Sequence, residues 1–357
     1  MRKIRVLIVE DSVVVSQLLQ YIIGGDPRFE IVAATSSAEE ALEMLWRVSP
    51  DIISLDIRLP GMNGLEATRR IMRDKPTPIV VCSASVESDE LNITLNALRA
   101  GALAVVEKPV GTTRPEYERL ARTLCTQLAI MSDVKVVRQR SLTDSKLDAR
   151  RTVQPALKPS IHAVPGTCPR ILGIGASTGG PNAVVQVLTN LGPGFPIPVL
   201  LVQHIMPTFV AGFASWLEDV TPCRAVLARS GDIPVAGTVY VAPAESHLQI
   251  DGERLRLTQD PPLSAQRPSA TALFRSMART VGNSAIGILL TGMGDDGADG
   301  LLELRRAGGY TIVEHESTAV VYGMPKAAFD RGAACECLPV TDIARRILEL
   351  VSTAEKV

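Results

Sequence analysis

Apolar and polar positions alternate in a regular rhythm along the first 130 residues. Short unbroken apolar runs predict buried strands at Arg5–Val9, Ile31–Ala34, Ile52–Leu55, Ile79–Cys82 and Ala104–Glu107. Each is followed by a stretch with helical spacing: Ser12–Ile23, Ala38–Val48, Gly64–Asp74, Glu90–Ala100, and Arg114 to about Ile130. Five strand–helix units in a row predict a parallel sheet with helices on both faces. From about residue 133 to 168 the rhythm stops. Prolines 155, 159 and 165 interrupt a stretch rich in serine, threonine and charge, which predicts an interdomain linker. Between Lys135 and Lys158 it holds seven basic residues and two acids, a net of +5. A solvated charge run is the favoured reading of that stretch, ahead of a docking segment for an acidic partner.

The rhythm then resumes. An apolar run from Arg170 ends in a glycine cluster around Ser177, and Pro181 opens an amphipathic helix over Asn182–Leu191, where a missing N–H costs nothing. Pro198–Gln203 predicts a strand, with His204 at its end and a helix starting near Pro207. His247–Ile250 and Leu255–Leu257 predict a hairpin about Asp251 and Gly252. Ala285–Leu290 predicts a strand that runs into the glycine- and acid-rich segment Thr291–Gly300. A helix follows from about Gly297 to Arg306, then a strand over Tyr310–Val313 with His315 after it. The second half therefore also reads as α/β.

Composition narrows the class. A chain of 357 residues is about two domains long, and 46% hydrophobic residues are enough for two cores. A net charge of −1 argues against a nucleic-acid partner. No apolar run approaches the ~18 residues of a membrane span, so no membrane insertion is expected. The segment Met1–Val6 lacks the apolar core of a signal peptide, which places the protein in the cytoplasm. Six scattered cysteines without a C-x-x-C pair, and four histidines without zinc spacing, predict reduced and mostly buried thiols.

In an open parallel sheet, ligands sit beyond the carboxyl ends of the strands. In the first half the polar residues there are Glu10, Asp11, Asp56, Ser83 and Lys108. Three carboxylates in one crevice repel, which predicts raised pKa values and a hard divalent cation such as Mg²⁺. Lys108 offers a mobile positive charge and Ser83 a hydroxyl to follow a new anionic group. Any one of these acids alone reads as a solvated strand-end charge; their joint placement does not. Glu10-Asp11, Asp56, Leu59-Pro60-Gly61-Met62-Asn63-Gly64, Ser83 and Lys108-Pro109 resemble, in order, the pattern of a response-regulator receiver domain. The resemblance implies a flavodoxin-like (βα)5 fold. It implies phosphorylation of Asp56 by a histidine kinase, Mg²⁺ held by Glu10, Asp11 and Asp56, and Ser83 and Lys108 as readers of the phosphorylated state. Glu10 departs from the Asp-Asp pair common in receivers, which bears on metal affinity and dephosphorylation rate.

In the second half, Gly175-Ala176-Ser177-Thr178-Gly179 fits G-x-S-x-G, which exposes a serine at a strand–helix turn. A phosphate-binding turn and a serine that merely caps the helix are the competing readings. A nucleophilic serine needs a base and an orienting acid. His204 stands at a strand end like Ser177, and the acids of Thr291–Gly300 follow another strand. The order Ser–Asp–His, with Asp296 or Asp299 and His315, fits the spacing as well. Ile174–Pro181, Gln203-His204-Ile205, Tyr240-Val241-Ala242-Pro243, Leu290–Gly297 and Gly323-Met324-Pro325 together resemble the chemotaxis protein-glutamate methylesterase family. That resemblance spans all but the linker. It implies a doubly wound parallel sheet, Ser177 as nucleophile, His204 as base, Asp296 as the aspartate, and the Met293 backbone N–H as an oxyanion donor. It also implies methylated chemoreceptor cytoplasmic domains as substrates, methanol as product, deamidation of selected receptor glutamines, no cofactor for the esterase, and an unphosphorylated receiver that covers the cleft. The expected domains are a receiver at 1–130, a linker at 131–168 and a catalytic domain at 169–357. A small-ester hydrolase using His315 and a non-catalytic, phospho-dependent receptor-binding protein are the alternatives.

Overall fold

A computed structural model describes residues 2–83, 88–109, 113–134, 136 and 168–353. The chain divides into two compact units, Met1–Thr152 and Val153–Val357. The basic linker stretch and His162 lie outside the described residues.

The first unit runs β1 (Ile4–Val9), α1 (Val13–Gly24), β2 (Phe29–Thr35), α2 (Ala38–Val48), β3 (Ile52–Leu55), α3 (Gly64–Asp74), β4 (Ile79–Ser83), α4 (Ser88–Arg99), β5 (Ala104–Glu107) and α5 (Arg114–Ser132). Its sheet has the order β2-β1-β3-β4-β5, and every pairing is parallel. Ile52–Leu55 and Ile79–Ser83 are buried throughout, which is why they read as unbroken apolar runs rather than alternating ones. Ser12, Ser37 and Asn63 cap α1, α2 and α3 by accepting the N–H three residues on. The order reverses between β1 and β3, which opens a crevice at their carboxyl ends.

The second unit runs β6 (Ile171–Ala176), α6 (Gly180–Leu191), β7 (Val199–Gln203), α7 (Pro207–Val220), β8 (Arg224–Leu227), β9 (Thr238–Val241), β10 (His247–Asp251), β11 (Arg254–Thr258), α8 (Ala270–Thr280), β12 (Ala285–Leu289), α9 (Ala298–Arg306), β13 (Tyr310–Glu314), α10 (Met324–Asp330), β14 (Glu336–Leu338) and α11 (Val340–Thr353). Seven parallel strands form a doubly wound sheet in the order β14-β13-β12-β6-β7-β9-β8, and β10 and β11 pair separately as an antiparallel hairpin. The chain leaves β6 toward β7 on one side and returns to β12 on the other. The switch point is thus at the carboxyl end of β6, where Ser177 stands. Helix α8 lies hard against that strand: a Cβ on Gly173 would come within 2.5 Å of the Met277 sulfur. Phe274 and Met277 of α8 are fully buried there, and each such side chain contributes about 1.5–3 kcal/mol of burial.

The six cysteines are free. Three of them, Cys82, Cys125 and Cys223, are buried; Cys168 is exposed and Cys335 and Cys337 are intermediate, so burial is less general than the composition led us to expect. Among the described residues no helix is long and apolar enough to cross a membrane.

Candidate functional sites

In the first unit, backbone bonds to neighbouring strands carry three polar residues into the crevice. Glu10 N–H donates to the Thr35 carbonyl, Asp56 N–H to Val9 and Lys108 N–H to Ser83, at 2.9–3.0 Å. Glu10, Asp56 and Lys108 are each at most 7% exposed. The Lys108 ammonium lies 2.7 Å from a Glu10 oxygen and 2.8 Å from an Asp56 oxygen. It is therefore a held charge in this state, not the mobile one expected. Burial raises the pKa of both acids, and for Asp56 the nearby Lys108 charge is the chief opposing influence. Repulsion from Asp56 adds to the rise at Glu10 but ranks below burial, so mutual repulsion is the lesser cause. For Lys108, burial pulls downward, but Asp56 and Glu10 outweigh it and leave the ammonium firmly protonated. Asp11 is exposed, and one oxygen from each of Glu10, Asp11 and Asp56 falls within 4.8 Å of the others. Ser83 is buried, with the Thr94 hydroxyl 3.5 Å away. Gly64 is required where it stands: a Cβ there would meet the Asp56 carbonyl at 2.3 Å.

In the second unit, Ala176 and Gln203 are register partners on β6 and β7. Ser177 and His204 are the next residue on each strand, so their backbones stand side by side, at a spacing of about 4.8 Å. His204 N–H donates to the Ala176 carbonyl at 2.9 Å, and Ser177 N–H to the Thr291 carbonyl at 3.0 Å. Ser177 does not cap α6. The cap is Gly179, at φ 76°, a conformation that favours glycine, and a Cβ there would also strike Val320 at 2.5 Å. His204 does not cap α7 either; Met206 holds that position.

The His204 ring turns instead to Asp296, with Nε2 2.9 Å from Oδ2. Asp296 is 2% exposed and sits on the N-terminus of α8. The Ser269 hydroxyl donates to Oδ1 at 2.6 Å, Ala270 N–H to Oδ2 at 2.7 Å and Thr271 N–H to Oδ1 at 3.2 Å. Burial pushes the Asp296 carboxyl up, but the bonds and charge of His204, then Ser269 and Thr271, prevail and hold its pKa below the ordinary carboxylate value. Because Nε2 is committed to the carboxylate, Nδ1 is the nitrogen left for a proton transfer. The Ser177 hydroxyl makes no hydrogen bond to the imidazole here. The N–H groups of Thr178 and Met293 have no acceptor among the described residues.

The rival set does not assemble. Asp299 pairs with Arg331 at 3.1 Å, as does Asp295 at 2.6 Å. His315 Nδ1 turns to the hydroxyl of Ser317, two residues on. Among the described residues, no carboxylate forms a bond to His315.

Several residues of the site escaped the sequence reading. Ser269 and Thr271 hold Asp296, and Thr271 also accepts the Gly297 N–H at 2.7 Å. Gln203 bonds the carbonyls of both Ser177 and His204. The signal for Ser269 was a serine placed just before an amphipathic run, a capping position.

Comparisons with known proteins bear on both units. A family profile described as CheB methylesterase matches residues 172–347, and one described as Response regulator receiver domain matches residues 6–115. The protein-glutamate methylesterase/protein-glutamine glutaminase 2 of Paramagnetospirillum magneticum is 54% identical over 358 residues, which is 99% of each chain. A protein-glutamate methylesterase/protein-glutamine glutaminase of Nitrosospira multiformis is 40% identical over 350 residues, 98% of this chain and 97% of its own. The crystal structure of the Thermotoga maritima CheB methylesterase catalytic domain is 32% identical, covers 52% of this chain and 100% of its own, and superposes with a TM-score of 0.50. Fold and site together define a response regulator whose output unit is a hydrolase of the α/β type. More narrowly, the chain belongs to the CheB methylesterase family.

Proposed function

We propose that this protein hydrolyses glutamate methyl esters on the cytoplasmic domains of chemoreceptors, releases methanol, deamidates selected receptor glutamines, and is switched on by phosphorylation of Asp56. The observation that carries the reading is the His204–Asp296 bond, set beside an elbow serine on the neighbouring strand.

In the reaction, His204 Nδ1 takes the Ser177 hydroxyl proton as Oγ attacks the ester carbonyl. The Nε2–H stays donated to Asp296, whose charge steadies the imidazolium. The relative orientation is the mirror of the serine-protease arrangement, in which Nε2 faces the serine. The Thr178 and Met293 N–H groups supply the oxyanion site, a contribution of about 2.7–4 kcal/mol for one donor. The tetrahedral species collapses, and methanol leaves with the proton from Nδ1. Water then attacks the acyl–Ser177 ester as Nδ1 accepts its proton, and the proton returns to Ser177 as glutamate is released. A glutamine side chain follows the same steps, with ammonia as the leaving group.

In the receiver, a carboxylate oxygen of Asp56 takes the phosphoryl group from the phosphohistidine of a kinase. The oxygen donors of Glu10, Asp11 and Asp56 suit a Mg²⁺ ion, which when bound neutralises phosphoryl charge. The Lys108 ammonium, now on Glu10 and Asp56, is placed to pair with the new phosphoryl oxygens. Ser83 follows it, and the receiver face repacks to release the esterase cleft. A cytoplasmic location, a receiver at 1–130, a linker at 131–168 and a catalytic domain at 169–357 complete the reading.

Methanol release from methylated receptor fragments tests it. Ser177→Ala should abolish turnover while leaving the fold intact; wild-type release by that variant excludes the assignment.

A further inference from the structure

His247 opens β10, is 1% exposed, and has no part in the reaction as written. Both of its ring nitrogens are engaged. Nε2 lies 3.2 Å from the Pro261 carbonyl, and Nδ1 lies 3.2 Å from the backbone nitrogen of Ser269. A carbonyl can only accept and an N–H can only donate, so the two partners fix the neutral ring with its proton on Nε2 and its lone pair on Nδ1. Ser269 is the cap of α8, fully buried, and its hydroxyl donates to Asp296 at 2.6 Å. A continuous chain of bonds thus runs from Pro261 through His247, Ser269 and Asp296 to His204.

We infer that His247 is a positioning residue for the esterase reaction: it fixes the Ser269 cap so that the hydroxyl stays on Asp296 and Asp296 stays on His204. This rests on the Ser177–His204–Asp296 reading proposed above. The two nitrogens do different work. Nε2 anchors the Pro261 loop, whereas Nδ1 satisfies an N–H that would otherwise be buried without a partner and free to pull the cap out of line.

Two substitutions separate these roles in the full-length protein. His247→Asn puts an amide oxygen near the Nδ1 position and gives up Pro261. His247→Gln puts an amide nitrogen near Nε2 and gives up the acceptor for Ser269. The expected result is a fall in kcat of about 10-fold for His247→Gln, with KM unchanged, and a loss within about 2-fold for His247→Asn. Ser269→Ala should also lower kcat, and adding His247→Gln to it should cost little more, because both break one chain. A merely structural histidine would lower the unfolding temperature in both variants and leave kcat alone; that outcome overturns the proposal, as does full additivity with Ser269→Ala. Should His247→Gln fail to fold, the asparagine variant decides, since a loss of about 10-fold in its kcat is fatal to the acceptor role. Asp296→Asn serves as the control. If it keeps wild-type turnover, the triad reading fails and this one with it. If it is inactive while His247→Gln turns over normally, only the positioning role is wrong.

Discussion

Gln203 holds Ser177 by a 2.7 Å bond from its side-chain amide to the serine's backbone carbonyl, and the same nitrogen reaches the His204 carbonyl at 3.0 Å. One buried amide thus ties the strand end that carries Ser177 to the strand end that carries His204. The packing is tight, since a Cβ on Gly180 would stand 2.2 Å from the Gln203 oxygen. Gln203→Met keeps the length and removes the donor. It should cost about 1–3 kcal/mol of stability, chiefly through the His204 carbonyl, since the Ser177 carbonyl keeps the Gly180 N–H at 2.8 Å. Methanol release should fall about 10-fold, because the serine and histidine lose their common tether. Thermal unfolding and steady-state kinetics check the two halves; unchanged kcat would show that the strands alone suffice.

The surroundings of Asp296 predict which aspartate matters. All four groups that meet its oxygens are donors. Asp296→Asn turns one acceptor into an NH₂ that faces a donor, and it removes the charge that steadies the imidazolium. Turnover should fall roughly 10²–10⁴-fold, as for the comparable serine-protease change. Asp299→Asn loses only a half-exposed pair with Arg331, and such pairs are worth about 0–1 kcal/mol. It should stay within about 2-fold of wild type, as should His315→Ala. A crippled Asp299→Asn would move the acid, and a crippled His315→Ala the base.

Much of the fold was legible because parallel strands buried on both faces read as unbroken apolar runs, as at Ile52–Leu55 and Val199–Gln203. β8, β9 and β14 were missed: all three are only three or four residues long, and β8 and β14 are also the outer strands of the larger sheet and largely only half-buried, whereas β9 is buried throughout. The candidate site shows a different limit. His204 and His315 both follow strands, so local pattern gives them equal standing. What separates them is that Asp296 meets one and not the other, a relation across 92 residues. The helix start that holds Asp296 was hidden for the same reason, since a cap is a local feature but its carboxylate partner is not.

The receiver predicts a conditional enzyme. Asp56→Asn removes the proposed phosphoryl acceptor, so a small-molecule phosphodonor should raise methanol release by the wild type and leave that variant unmoved. A chain beginning at residue 168 should be more active than the unphosphorylated full-length protein, and indifferent to the phosphodonor. Equal activity of the two, both without phosphodonor, would remove inhibition by the receiver from the account.

The last prediction concerns Glu314, at the end of β13. It is 1% exposed, and one carboxyl oxygen accepts the Thr291 N–H at 2.8 Å. The other has no hydrogen-bond partner, and no cation pairs with the group among the described residues. Burial accordingly pushes its pKa from 4.5 up to about 7, against the opposing bond from Thr291. A raised acid pKa means that the native state binds the proton more tightly than the unfolded chain does. Its influence is absent below the unfolded value near 4.5, where both states are protonated. Stability then falls as pH rises through the window from there to about 7, and stays lower above it. The full difference is about 3 kcal/mol. Glu314→Gln keeps an acceptor for Thr291 and cannot ionise, so it should be less stable than, or equal to, the wild type at pH 4.5 and gain on it by pH 8. Trp216, buried in the same unit, reports the unfolding. Glu314 is linked to the candidate site, because Thr291, whose N–H it accepts, in turn accepts the Ser177 N–H through its carbonyl. Parallel stability profiles for the two proteins between pH 4.5 and 8 would show that the buried carboxyl finds its compensation elsewhere.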